Sequence, residues 1–233
     1  MADEIKYPAG FGLKDVASQT VIKTPLFEDC EHLVSREREI YERLAQRGGH
    51  EGILCYHGTV ESGIQLEYAP NGDIRTFFEE QGDAIPLEQR LRWATQIAEA
   101  LGFIHSAGIV HGDVTCHNIF LDEGLNAKVA DFAGSSLDGS KLLIGVTASH
   151  ECPGSTLSTQ GDIFAFASVV YEIMTGSPPY TGLSDAEINA CYKQSEFPDT
   201  ASLGEIGAII TKCWLAQYDG FEAVAQDLRE VGT

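Results

Sequence analysis

At 233 residues the chain can bury a full core, as one domain or as two tightly joined lobes. Its net charge of −20 argues against a nucleic-acid partner, which needs a basic stripe, and reads as solubility rather than steering. Six cysteines without a C-x-x-C pair point to reduced thiols. The first ten residues lack the apolar stretch of a signal peptide, and the longest mostly apolar run, around 163–170, is too short to span a bilayer. A soluble, cytoplasmic protein with no membrane partner is expected.

Residues 1–30 carry little pattern apart from Thr-Val-Ile-Lys at 20–23, a strand of branched residues ending on Lys23. From 31 to 46, Leu33, Glu37, Ile40, Tyr41 and Leu44 recur at helical spacing. Glu37 falls inside that apolar stripe, where Glu39 and Glu42 do not. An inward carboxylate is costly unless a cation meets it. Lys23 is the expected partner, with Arg36 and Arg43 as the local alternatives. After the break at 48–50, residues 53–57 and 64–68 read as a hairpin, and 66–73 shifts from strand to turn chemistry. Residues 86–105 form an amphipathic helix with Leu87, Leu91, Ala94, Ile97, Ala98, Leu101 and Ile104 on its buried face. Pro86 starts it and Ala107-Gly108 ends it.

The stretch from 111 to 134, HGDVTCHNIFLDEGLNAKVADFAG, concentrates the chemistry. Two short apolar runs, 119–121 and 127–130, flank the turn-forming Asp-Glu-Gly at 122–124. Such a hairpin carries Asp113 before its first strand, Asn118 at that strand's start and Asp131 after its second. Carboxylate and amide oxygens suit Mg²⁺, which usually arrives with phosphates attached. A Ser/Thr/Gly-rich loop follows from 131 to 161. Residues 162–180 then read as a helix apolar almost all round, with Asp162 as a favourable N-cap and Gly176 and Pro178 at its end. Three further helices are expected at 186–194, 203–215 and 221–231.

These residues resemble the eukaryotic protein kinases, in particular divergent fungal kinase-like proteins with His-Gly-Asp loops. His111-Gly112-Asp113 stands for His-Arg-Asp, Asn118 for the metal-binding asparagine, and Asp131-Phe132-Ala133 for Asp-Phe-Gly. Thr20–Lys23 resembles Val-Ala-Ile-Lys, and Thr175-Gly176 with Pro178-Pro179-Tyr180 is characteristic of the family. The resemblance implies an α+β, bilobal fold: a small β-rich lobe with one long helix (1–68) and a larger, mostly helical lobe (69–233), together one domain. It implies ATP and Mg²⁺ as cofactors and a protein Ser/Thr hydroxyl as substrate. Asp113 would be the base, Asn118 and Asp131 would hold the metal, and Lys23, paired with Glu37, would position the phosphates. Leu66 would be the gatekeeper, the backbone of Glu67 and Ala69 would face adenine, and Val21 and Phe120 would enclose it. His111, Phe132 and Tyr41 would stack between the lobes, and Asp162 would hydrogen-bond the catalytic-loop backbone.

The sequence also departs from the family. G-x-G-x-x-G is absent before Lys23. Val21 and Phe120 are larger than the family's alanine and leucine, a crowding worth roughly 1–3 kcal/mol. Thr115 replaces the lysine after the catalytic Asp, with His117 as a weak substitute, and Ala133 adds a Cβ to the metal loop. Gly112 removes the arginine that receives an activation-loop phosphate. Glu151 resembles the glutamate of Ala-Pro-Glu, but its arginine near Asp219-Gly220 is missing. Two alternatives therefore stand beside a kinase: a pseudokinase scaffold binding partner proteins, and a small-molecule phosphotransferase of the aminoglycoside type. The helix heading at Asp162 and its Pro-Pro-Tyr ending argue against the latter.

Overall fold

The structure is a computed structural model that describes residues 4–7, 10–15, 19–25, 27, 30–61, 63–81, 84–154 and 157–232, with side chains from residue 19 onward. Its N-terminal part is a five-stranded antiparallel sheet with one long helix. The strands are β1 (Glu4–Tyr7), β2 (Gly10–Asp15), β3 (Thr20–Thr24), β4 (Tyr56–Val60) and β5 (Gly63–Glu67), in the order β1-β2-β3-β5-β4. Between β3 and β4 runs α1 (Glu31–Gln46), which buries Glu37, Ile40, Tyr41 and Leu44 on the stripe its periodicity predicts. Strands β3 and β5 approach so closely that a Cβ on Gly63 would stand 2.0 Å from the Lys23 carbonyl oxygen, which accounts for glycine at that position.

Two differences from the sequence reading lie here. Strands β1 and β2 occupy a stretch that carries little apolar alternation, and they add a hairpin beyond β3 with Gly12 directly across from Lys23. Strand β4 begins at Tyr56 rather than 53, because Ile53 and Leu54 turn away to join the rest of the molecule. Leu54 N–H donates to the Val129 carbonyl at 3.2 Å, and Val129 N–H donates to Gly52 at 2.8 Å.

The remainder is mostly helical. It comprises α2 (Ile74–Gln81), α3 (Leu87–Ser106), α4 (Thr159–Thr175), α5 (Asp185–Lys193), α6 (Gly204–Trp214) and α7 (Phe221–Val231). Two small ladders sit among them: β6 (Ile109–Val110) with β9 (Ser136–Leu137), and β7 (Ile119–Leu121) with β8 (Ala127–Val129). The architecture is α+β, with the sheet at the N-terminal end and seven α-helices among the described residues.

Helix α2 was hidden in the sequence because Asp73 reads as turn chemistry. Its carboxylate accepts from Thr76 N–H at 3.0 Å and Thr76 Oγ1 at 2.8 Å, which starts the helix. In α3 the expected buried face holds from Ala94 onward, while Leu91 is half-buried and Leu87 is 61% exposed in the first turn, ahead of the core. Trp93 is buried instead, edge-on to Phe77 and Phe78, with its indole N–H donating to the Leu125 carbonyl. Helix α4 starts at Thr159, three residues earlier than expected. Ser158 Oγ accepts from Gly161 N–H at 3.0 Å and is the N-cap, so Asp162 is released from that role. Nearly every α4 residue from Gly161 to Val170 is buried, and truncating Ile163, Phe164 or Phe166 to alanine costs about 2–5 kcal/mol each. Gly176 ends the helix in the left-handed region, φ 80°.

Candidate active site

Lys23 leaves the end of β3 toward α1. Its Nζ stands 2.8 Å from Glu37 Oε2 and 2.6 Å from Asp131 Oδ1, so one ammonium joins the sheet, the helix and the loop after β8. Arg36 and Arg43, the alternatives for Glu37, point elsewhere. Burial works against the charge on Lys23, but the two carboxylates outweigh it and raise its pKa. Burial also pushes the Glu37 carboxyl up against the pull of Lys23. The Glu37 side chain is fully buried, and its second oxygen, Oε1, accepts from Phe132 N–H at 3.2 Å. Glu37 therefore couples the lysine to the backbone next to Asp131.

The β7–β8 hairpin sets the other side. Ile119 pairs with Val129, and Ala130 N–H donates to the Asn118 carbonyl at 2.9 Å. Asn118 and Asp131 thus lie at the same end of one ladder. Asp131 adopts φ 63°, a left-handed conformation that Asp tolerates better than most residues and that costs of order 1 kcal/mol. Alanine at 133 is not in that region, so its Cβ adds no backbone strain; the strain falls on Asp131 instead. Asn118 Nδ2 donates to both the carbonyl oxygen and Oδ2 of Asp113, each at 2.8 Å. This orients the carboxylate, and burial raises its pKa above the ordinary aspartate value despite the Asn118 bond.

Beneath these groups lies the catalytic-loop candidate. His111 is buried; its Nδ1 accepts from Asp113 N–H at 3.3 Å and its Nε2 faces the Ala130 carbonyl at 3.0 Å, the pattern of a neutral imidazole. Phe132 packs against His111 (5.2 Å between centroids) and edge-on to Tyr41 (5.1 Å), which in turn stacks on Tyr56. Buried Asp162 accepts from His111 N–H, Gly112 N–H and His105 Nε2, all at 2.8 Å. Gly112 has φ 75°, and a Cβ there would meet Leu142 Cδ2 at 2.3 Å. The place of the missing arginine is filled by leucine. Thr115 is buried with no lysine-like reach, and His117 is engaged by Asp73 at 3.4 Å. His117 is raised by that hydrogen bond and stays half exposed. Glu151 makes no ion pair among the described residues.

Val21 pairs with Leu66 across β3 and β5, and both are buried. Phe120, Ala69, Leu54 and Ala130 form a separate small apolar cluster. The Glu67 amide donates to the Cys55 carbonyl at 2.8 Å, and its carboxylate accepts from Cys55 N–H. The segment that follows is tied to β7 by Leu121 N–H donating to Gly72 at 2.8 Å.

Asn118 spends its amide nitrogen on Asp113, and Asp131 spends one oxygen on Lys23. The Asn118 side-chain amide oxygen, Oδ1, and the second Asp131 oxygen are hard donors that fit Mg²⁺. Among the described residues no group of three or more His, Cys, Asp or Glu could hold a metal ion; with these two protein oxygens, waters and phosphate oxygens would make up the shell.

The profile described as protein tyrosine and serine/threonine kinase matches residues 16–220. The chain is 27% identical over 199 residues to megakaryocyte-associated tyrosine-protein kinase of Rattus norvegicus, covering 78% of this chain and 42% of that protein. It is 26% identical over 155 residues to serine/threonine-protein kinase PDK1 of Cryptococcus neoformans, covering 58% and 12%. It is 37% identical over 138 residues to wall-associated receptor kinase-like 1 of Arabidopsis thaliana, covering 53% and 19%. The chain thus spans less than half the length of these relatives. With the profile covering most of its residues, the chain belongs to the protein tyrosine and serine/threonine kinase family.

Proposed function

We propose that residues 1–68 and 69–233 are the two lobes of one protein kinase domain that transfers the ATP γ-phosphoryl group to a protein Ser/Thr hydroxyl. The observation that carries this reading is the Lys23 ammonium held between Glu37 and Asp131 at 2.8 and 2.6 Å, across from an Asp113 oriented by Asn118. Asn118 and Asp131 would hold Mg²⁺, which would supply charge neutralisation at the phosphates. The protein's own groups do the rest. Lys23 positions the phosphates, and Glu37 keeps Lys23 extended. Asp113 orients the substrate hydroxyl and accepts its proton, aided by a pKa raised toward the working pH. Asn118 and Asp131 offer oxygens to the metal, the backbone of Glu67 and Ala69 faces adenine, and Val21 and Phe120 enclose the base. We assign the protein to the cytoplasm on its six cysteines without a C-x-x-C pair, which suggest reduced thiols.

A pseudokinase scaffold is the second reading, favoured by the buried Val21 and Phe120 and by the absence of a lysine at Thr115. Phosphate transfer from ATP to a Ser-containing and a Tyr-containing protein substrate separates these readings. Transfer to serine by the wild type, lost by at least about a hundredfold in Asp113→Asn, is expected. Transfer to tyrosine alone would correct the acceptor, and no transfer by folded wild-type protein would favour the scaffold.

A further inference from the structure

Between α3, the first turn of α4 and the start of α7 lies a cavity of about 440 Å³ that the proposed reaction does not use. That volume is in the range of small-ligand pockets. Its floor is apolar: Ala98 and Gly102 of α3 lie against Phe221 and Ala225 of α7, and a Cβ on Gly102 would stand 3.3 Å from Phe221 Cβ. Around that floor the polar groups are either engaged or free. Arg229, the only Lys or Arg in the walls, pairs with Glu99 at 2.6 Å. Asp219 and Glu222 are exposed, and neither makes an ion pair or a hydrogen bond through its side chain among the described residues. Glu222 stands in the first turn of α7, where the helix dipole offsets part of its charge; Asp219 precedes that helix.

His105 adds an observation independent of the carboxylates. Its side chain is nine-tenths buried, at 10% exposure, and its Nε2 is committed to Asp162 at 2.8 Å. Nδ1, on the other edge of the ring, has no hydrogen-bond partner among the described residues, and the ring forms part of the cavity wall. With the Nε2 proton directed at Asp162, Nδ1 of the neutral ring presents a lone pair. The free groups of the cavity are therefore all acceptors. An anion meets repulsion there, and an apolar molecule leaves Nδ1 buried and unpaired. A quaternary ammonium brings the charge without a donor. What satisfies all three acceptors is a cation that carries N–H groups and a short apolar body.

We propose that this cavity binds a small organic amine. Its ammonium donates to His105 Nδ1 and faces the Asp219 and Glu222 carboxylates, while its alkyl chain covers Ala98, Gly102 and Phe221. The chain's net charge of −20 raises the concentration of such cations at its surface. The site also has a route to the loop at 111–113, because the Asp162 that holds His105 accepts from the His111 and Gly112 amides. An ammonium on Nδ1 fixes the imidazole as a donor to Asp162. The inference goes beyond the kinase reading and uses none of the residues assigned to ATP or the metal.

The test is an amide NMR titration of the folded wild type with n-butylamine, set against butyltrimethylammonium, which has the same charge and no N–H. n-Butylamine should shift amides within 98–105 and 219–225 and those of His111 and Gly112, saturably, and bind at least about tenfold more tightly than the quaternary ion. Asp219→Asn with Glu222→Gln, both at exposed positions, should weaken n-butylamine about tenfold or more. Shifts scattered over the acidic surface, equal affinity for the two cations, or a double variant that binds like wild type overturns the proposal. The same shifts produced by Mg²⁺ at lower concentration would make this a metal site and overturn it as well. Shifts that stop at the cavity and spare His111 and Gly112 uphold the site and refute its link to the loop. A wild type that transfers no phosphate from ATP would sink the kinase reading and leave this result untouched.

Discussion

Replacing Lys23 with methionine isolates the ion pair on which the site is built. Glu37 is fully buried, and its Oε2 has no partner of hydrogen-bond geometry besides the 2.8 Å charge contact with Lys23. Removing the ammonium strands that carboxylate, a loss of about 3–5 kcal/mol. Asp131 also loses a partner, but at 14% exposure it can be hydrated, adding less than about 1 kcal/mol. The cost depends on pH with a definite sign. A carboxyl whose folded pKa is raised binds its proton more tightly folded than unfolded, so stability falls as pH rises from the ordinary 4.5 toward the raised value. Urea unfolding should therefore show Lys23→Met less stable than wild type by about 3–5 kcal/mol at pH 8, with the deficit shrinking as pH falls toward 5. Adding Glu37→Gln should recover most of the loss at pH 8, since the amide oxygen can still accept from Phe132. A deficit independent of pH, or no deficit at pH 8, would refute the reasoning.

Three further outcomes are expected. Asp162→Ala orphans the His111 and Gly112 amides and the His105 ring, and should lower stability by about 3 kcal/mol or more in chemical denaturation. Gly112→Arg meets Leu142 and a positive φ, so it should destabilise by at least about 1–3 kcal/mol rather than restore a phosphate receptor. The His117–Asp73 pair stabilises only while both are charged. Raised His117 contributes below about pH 6.5 and loses its effect as pH rises through its folded pKa; lowered Asp73 contributes above about pH 3.8 and loses it as pH falls. His117→Gln should therefore cost under about 1 kcal/mol between those limits and nothing at pH 8.5, read as the difference in unfolding midpoint.

Much of this arrangement is legible from residues alone because it breaks local rules. Glu37 interrupts an apolar stripe, and only a buried cation explains that. The Asn118–Asp131 hairpin shows in two short apolar runs and a turn. What escaped the sequence depends on contacts between distant segments. Strands β1 and β2 lack apolar alternation and exist through pairing with β3. Helix α4 begins on Thr159, Gln160 and Gly161, which have no apolar signal, so Asp162 looks like a cap when it is the acceptor for the His111 and Gly112 amides. Arg36 of α1 meets the Ser135 carbonyl and Ser140 Oγ, and Arg43 the Asp138 carboxylate, partners about a hundred residues away in sequence. Their spacing at 36 and 43 is the one available signal, and it does not say what they meet. Leu142 in the place of the missing arginine has no local signature at all.

Calorimetric titration of the wild type and Asp131→Asn with ATP, with Mg²⁺ and with a chelator, tests the central arrangement most directly. The lysine–carboxylate junction with its two free oxygen donors predicts that Mg²⁺ tightens nucleotide binding at least about tenfold and that Asp131→Asn removes the gain. Binding indifferent to Mg²⁺, or a gain that survives Asp131→Asn, would contradict it.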